Sequence, residues 1–310
     1  METAIMDLAI KIIQPFAALL LSPMLLGVIN RVKAKFAGRQ GQPILQPYYD
    51  LWRLFHKGAV YSTTTSWIFK IAPLICLASV ILAMMIVPLG GGSSLFSFNG
   101  DLILAAYLLG LMRFFIVIGA LDTGSSFEGM GSSREVHFSA LAEPALFIAL
   151  AAMARQTSSI SLAGIFAGVT TQMWTTGCAT LLLAAAAMVI VLLTENARIP
   201  VDDPNTHLEL TMIHEVMALD NSGPDFGFIM YGSALKLWLF AAMLVGILLP
   251  LAGLSQWIAM PVTILGIFAV SVMVGIIESC MARVRLISVP NLLLTAISLA
   301  ILSLVFALRS

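Results

Sequence analysis

The sequence predicts an all-α integral membrane protein: a bundle of about eight transmembrane helices with amphipathic helices in its cytoplasmic loops. Three observations predict it. The 310 residues are 60% hydrophobic and only 10% charged, where a soluble domain carries about 25% charged residues. The mean hydropathy is +1.00. Apolar stretches recur at about the 20-residue length that carries a helix across a bilayer.

Those stretches fall at roughly 5–29, 68–89, 101–121, 137–154, 174–194, 228–251, 257–278 and 289–308. The N-terminus, METAIMDLAIK, has no basic segment and no small-residue cleavage pattern, so it is read as part of the first span. The fourth stretch is short and interrupted by Glu143-Pro144, which predicts a kink. The whole chain, 1–310, reads as a single membrane domain with loops at 31–67, 122–136, 195–227 and 279–288 on one side.

Orientation follows from the basic residues. Eleven of them, Arg31, Lys33, Lys35, Arg39, Arg53, Lys57, Lys70, Arg134, Arg198, Arg283 and Arg285, fall in or beside the odd-numbered loops. Lys11, Arg155 and Arg309 fall on the other side, and Arg113 and Lys236 lie within spans. The positive-inside rule then places the odd loops in the cytoplasm and both termini outside. Equal totals of basic and acidic residues, 16 each, argue against a nucleic-acid partner. Cys76, Cys178 and Cys280 are isolated, so neither a disulfide framework nor a metal cluster is indicated.

In the first loop Ile44, Leu45, Tyr48, Leu51, Trp52 and Phe55 recur near helical spacing beside Arg53, His56 and Lys57. That pattern predicts an interfacial helix, either anchored on anionic lipid or docking a soluble partner. The fifth loop is acidic: seven carboxylates from Glu195 to Asp225 stand against Arg198 alone. Pro204-Asn205-Thr206 reads as a helix start and Asn221 to Pro224 as its stop. His207 and His214 would share a face but lie about 10 Å apart along the axis, too far for one ion. HExxH is absent, and solvated or proton-carrying histidines are the preferred reading.

Arg113, Glu143, Lys236 and Glu278 are embedded in apolar sequence. Charges at that depth cost several kcal/mol unless partnered, and they mark either function or structural ion pairs. Sequence leaves open which of Glu143, Glu195 and Glu278 partners which cation. A set of buried carboxylates, a lysine and histidines suits proton movement. No phosphate loop, dinucleotide loop or nucleophilic triad is present.

Four stretches together resemble the subunit 1 family of respiratory complex I. They are GRQGQPILQPYYDLWRLF, MRFFIVIGALDTGSSFEGMGSSRE, ARIPVDDPNTHLEL and IESCMARVRL. The second and fourth are similar to the hydrogenase branch of that family, the formate hydrogenlyase and hydrogenase-4 type among the group 4 membrane-bound nickel–iron hydrogenases. The resemblance implies a non-catalytic membrane subunit beneath a hydrophilic arm of hydrogenase-like large, small and iron–sulfur subunits, next to antiporter-like membrane subunits and lipid. Iron–sulfur clusters and a nickel–iron centre are then expected in the partners, with no metal or other cofactor on this chain. A bacterial or archaeal cytoplasmic (inner) membrane is implied.

The residue reading and the resemblance together nominate a proton-coupling set: Arg113, Asp122, Glu135, Glu143, Glu195, Asp202, His207, Glu209, His214, Glu215, Asp220, Lys236 and Glu278. They nominate Arg39, Gln46, Asp50, Arg53, Arg134, Arg198, Arg283 and Arg285 for partner docking. Departures from the family are local. Asn205, Thr206 and His207 replace glutamates before Glu209, and Lys236 stands where complex I tends to keep an acid. These changes surround the region that shapes the complex I quinone chamber and leave quinone binding doubtful. Alternative readings are a quinone-binding subunit of a complex I-like dehydrogenase, and a secondary ion transporter or passive scaffold.

Overall fold

The computed structural model of the protein describes residues 2–202 and 212–309, with side chains from residue 9 onward. Among the described residues every regular element is a helix. Eleven α-helices run in order: α1 (Glu2–Phe36), α2 (Gln46–Phe55), α3 (Trp67–Ile86), α4 (Asp101–Asp122), α5 (Ser126–Thr157), α6 (Leu162–Gly168), α7 (Thr171–Thr176), α8 (Cys178–Glu195), α9 (Gly223–Leu248), α10 (Gln256–Cys280) and α11 (Val289–Arg309). Eight of them, all but α2, α6 and α7, are long and apolar enough to cross a membrane.

Burial follows apolar patterning. From Ala234 to Ile247, every residue of α9 is buried. A helix apolar all round belongs in the interior, and α9 packs against α1, α3, α8 and α10. Around it α3 pairs with α4, α1 with α10, and α11 with both α5 and α8. Trp238, Phe240 and Phe166 are among the largest fully enclosed side chains. Phe166 lies against Gly246, where a Cβ would meet its ring at 2.8 Å.

Proline in these helices frees carbonyls that other elements then use. Pro23 has no N–H for the Leu19 carbonyl, and the Tyr231 hydroxyl of α9 donates to that oxygen at 2.8 Å. Tyr48, from the amphipathic α2, donates to the neighbouring Leu20 carbonyl at 2.5 Å; burial pushes its phenol pKa up. α2 buries Pro47 and Leu51 and leaves Tyr49, Trp52 and Phe55 exposed, so part of the predicted apolar stripe faces outward.

Three expectations need correction. The predicted loop 122–136 is mostly helix: α5 begins at Ser126 and continues through Pro144 to Thr157. Buried residues at Glu128, Gly131–Ser132, Glu135, Phe138–Ser139 and Ala142 form a helical stripe, which polar residues had disguised as loop. The fifth span starts at Cys178 rather than 174, because residues 171–176 form the separate α7, which ends at Gly177, whose N–H donates to the Met173 carbonyl at 2.8 Å. The helix predicted from Pro204 begins outside the described residues. Its described part is only a 3₁₀ turn, Glu215–Ala218.

The odd-numbered connections gather at one end. Val284 N–H donates to the Pro200 carbonyl at 2.9 Å, and Val60 N–H donates to the Ser222 hydroxyl at 2.9 Å. Gly223 sits at φ +55 against the Gly58 carbonyl, which a Cβ would approach to 2.6 Å. Asp225 accepts from Tyr61, a bond that, with burial, raises the phenol pKa. The 3₁₀ turn lies on α5 at Gly131, where a Cβ would meet Val216 Cγ1 at 2.2 Å and the Ile213 carbonyl at 3.0 Å.

Gly131→Val is therefore expected to displace the 213–217 segment and cost about 1–3 kcal/mol through overpacking. Gly129→Ala, where a Cβ meets open space, should change stability little. Thermal unfolding of both variants in detergent would measure this, and equal melting temperatures would refute the close contact.

Candidate functional site: a buried ionic network

Four spanning helices and one loop place charged groups together at membrane depth. Arg113, on α4, is buried and is enclosed by carboxylates from two helices. Its Nε donates to Glu135 Oε1 at 3.2 Å, its Nη1 to Glu143, and its Nη2 to Glu195 at 2.5 Å. Lys236 of α9, 3% exposed, donates its ammonium to the same Glu195 at 2.8 Å. From the loop side, His214 Nδ1 reaches Glu135 Oε2 at 3.2 Å. A continuous path of ionisable groups thus runs from His214 through Glu135 and Arg113 to Glu143, with Glu195 and Lys236 branching from Arg113.

The local sequence explains the convergence. Eight residues separate Glu135 and Glu143, slightly over two turns, so both fall on one side of α5. Glu195 is the last residue of α8. Helix α8 ends in a Schellman turn: Ala197 takes φ +47, Ala197 N–H donates to Thr194 and Arg198 N–H to Leu193, at 3.1 and 2.8 Å. That turn keeps Glu195 inside the bundle and sends Arg198 back toward α10.

Formal charge is not balanced in this network. With His214 neutral, the two cations Arg113 and Lys236 face the three carboxylates Glu135, Glu143 and Glu195. A cavity of about 10 Å³ lies between Glu135, Thr194, Glu195 and His214, room for roughly one water.

A second group holds the loop end together. Glu278 of α10 is bonded to Lys33 of α1 at 2.9 Å and to Arg198 at 3.4 Å. Asp202 pairs with Arg283 at 2.9 Å and accepts from Ile213 N–H at 2.9 Å, which sets the position of His214. Arg134 donates to the Met212 carbonyl at 2.9 Å. Glu128, fully buried, accepts from Thr123 and from the Asp220 N–H, the latter at 3.0 Å. Asp122 accepts from Ser66 N–H at 2.6 Å.

Of the nominated coupling residues, the structure brings Arg113, Glu135, Glu143, Glu195, His214 and Lys236 into one network. It places Asp202 and Glu278 in the second group, with Asp122, Glu215 and Asp220 at the loop end. His207 and Glu209 lie outside the described residues. Of the nominated docking residues, Arg39, Arg53 and Arg285 are exposed, whereas Arg198 is buried against Glu278. Gln46 and Asp50 bond one another at 2.9 Å. Lys33 and Glu128 were missed. Glu128 lies seven residues, two helical turns, before Glu135, a signal that was present; nothing in the basic stretch from Arg31 to Lys35 singled out Lys33.

Among the described residues no three His, Cys, Asp or Glu side chains are disposed to hold a metal ion, and the three cysteines are free.

The fold and network define a class: a multi-pass, all-helical membrane protein with ion-paired groups at membrane depth. The sequence model described as NADH dehydrogenase matches residues 9–308, and the chain belongs to that family. It is 31% identical to hydrogenase-4 component C of Escherichia coli K12 over 300 residues, covering 94% of this chain and 93% of the relative. It is 27% identical to formate hydrogenlyase subunit 4 of the same organism, over 98% of this chain and 100% of the relative. A chain of an archaeal respiratory membrane complex, the membrane-bound sulfane sulfur reductase, shares the fold with a TM-score of 0.83 at 23% identity. That match covers 97% of this chain and 99% of the other.

Arg113→Met leaves three carboxylates facing Lys236 alone. Breaking a buried pair on one side costs about 3–5 kcal/mol, so this variant should melt well below wild type. Pairing it with Glu143→Gln, which removes a carboxylate bonded to Arg113 and not to Lys236, should recover part of the loss. A double variant no more stable than Arg113→Met alone would show that the two do not act as a pair.

Proposed function

We propose that this chain is a non-catalytic membrane subunit of a hydrogenase-type energy-converting complex, anchoring a hydrophilic redox arm and coupling electron transfer to proton or sodium translocation. The observation that carries the reading is the continuous ionic path from His214, at the loop end, to Glu143 inside the membrane. The likeness to hydrogenase-4 component C and formate hydrogenlyase subunit 4 supports the kind of complex. In this reading the chain is a single membrane domain in a bacterial or archaeal cytoplasmic membrane, with both termini outside. The eleven basic residues of the odd-numbered loops support that orientation.

The arm would sit over the loop end, where Trp52, Arg53, Arg39 and Arg285 are exposed. In this reading nickel–iron and iron–sulfur groups belong to the arm. Antiporter-like membrane subunits would lie alongside. A charge change in the arm, felt at the loop, acts on the contact between His214 and Glu135. Through the guanidinium of Arg113, bonded to both carboxylates, it alters the field at Glu143.

Two measurements test the reading. Stoichiometric nickel together with iron is expected in the complex purified gently through a tag on this chain; iron without nickel would point instead to a complex I-like dehydrogenase. In inverted vesicles, His214→Ala and Glu195→Gln should retain redox turnover while lowering ions moved per electron several-fold. An unchanged ratio in both variants would reject the coupling role.

A further inference from the structure

We propose that the groove between α4 and α5 seats one transmembrane helix of another membrane subunit, and that this helix presents a positively charged side chain to Glu143. The inference rests on reading the chain as one subunit of a membrane complex, and adds to it a surface and the chemistry of its occupant.

Glu143 is the observation that demands a cover. Its side chain is 45% exposed although it is bonded to Arg113. Arg113 lies near the middle of α4, a helix of 22 residues or about 33 Å, close to the roughly 30 Å of a bilayer's hydrocarbon. A half-open carboxylate at that depth cannot face acyl chains without a large cost. The opening beside it is a cavity of about 230 Å³ lined by Tyr107, Gly110, Arg113, Glu143, Phe147 and Glu195, large enough for the end of a long side chain.

The same face continues along α5. Ser133, Val136, His137, Ala140, Pro144 and Phe147 are all exposed at helical spacing. A wider depression of about 520 Å³ between Leu121, Gly129, Ser132, His137 and Ala140 lies on the same pair of helices, nearer the loop end. Its lining is mostly apolar, with Val117, Leu121 and Val136, but Gly129, Ser132, Ser133 and Ala140 are small enough to allow close helix approach. The Ser132 hydroxyl is buried there with no partner. Pro144 supplies no N–H to the Ala140 carbonyl, so a second polar group on this face lacks its helical partner. The sign of the occupant follows from Glu143 itself, whose carboxylate is half open beyond its bond to Arg113 and is complemented by a cation on the approaching helix.

The test places a photo-cross-linking amino acid at Tyr107 or Ala140 in the intact complex in native membranes. Leu265 on α10, 69% exposed, serves as the lipid-facing comparison. Both groove positions should yield adducts with the same membrane subunit, while position 265 yields lipid. Ala140→Trp, which fills the groove, should release that subunit while the hydrophilic arm still copurifies. Lipid adducts alone at 107 and 140, or a full subunit set with Ala140→Trp, would overturn the proposal and leave the functional reading intact. If no other subunit copurified with the wild-type chain, both would fall.

Discussion

A guanidinium in the middle of a membrane-spanning helix is the constraint on which the rest of this structure depends. Arg113 cannot be deprotonated and cannot rest in hydrocarbon. It therefore draws Glu135 and Glu143 of α5 and Glu195 of α8 around it. Glu195 in turn serves Lys236 on the most enclosed helix. Four spans are thereby tied by bonds whose geometry is directional, inside a bundle whose core is otherwise largely apolar.

Directionality matters because lipid gives helices little hydrophobic reason to associate. Here association is specified by polar satisfaction and by close approach. Tyr231 answers the carbonyl freed by Pro23, Ser303 of α11 donates to the Thr180 carbonyl of α8 at 2.9 Å, and Gly246 admits the Phe166 ring. At the loop end Lys33, Arg198 and Glu278, with Asp202 and Arg283, bind three connections into one surface. The segment that carries His214 is thus held from two sides, by Asp202 at Ile213 and by Gly131 beneath Val216. Movement in that loop and charge in the bundle meet at Glu135.

Much of this was legible in the chain. The eight spans follow from hydropathy, and the depth of Arg113, Glu143 and Lys236 follows from their apolar surroundings. The pairing was not legible, because a span has several carboxylates within reach and period alone does not say which helix is its neighbour. Glu278 shows the limit: embedded in apolar sequence like Glu143, it bonds Lys33 and Arg198 instead of the central network. The first three turns or so of α5 were read as loop for a related reason. Polar residues at Glu128, Ser132 and Glu135 lower the hydropathy of a helix whose polar stripe points inward.

The sequence by itself determined that this is a membrane bundle of eight spans with charges it must hide, because length, hydropathy and desolvation cost act residue by residue. Its likeness to hydrogenase and complex I membrane subunits was legible too, because it rests on contiguous stretches. Only the tertiary structure decided which charges meet and which of them remain open at the side. Those outcomes depend on helix neighbours, on the rotation of each helix about its axis, and on turns such as that at Ala197, and none of these is local in sequence.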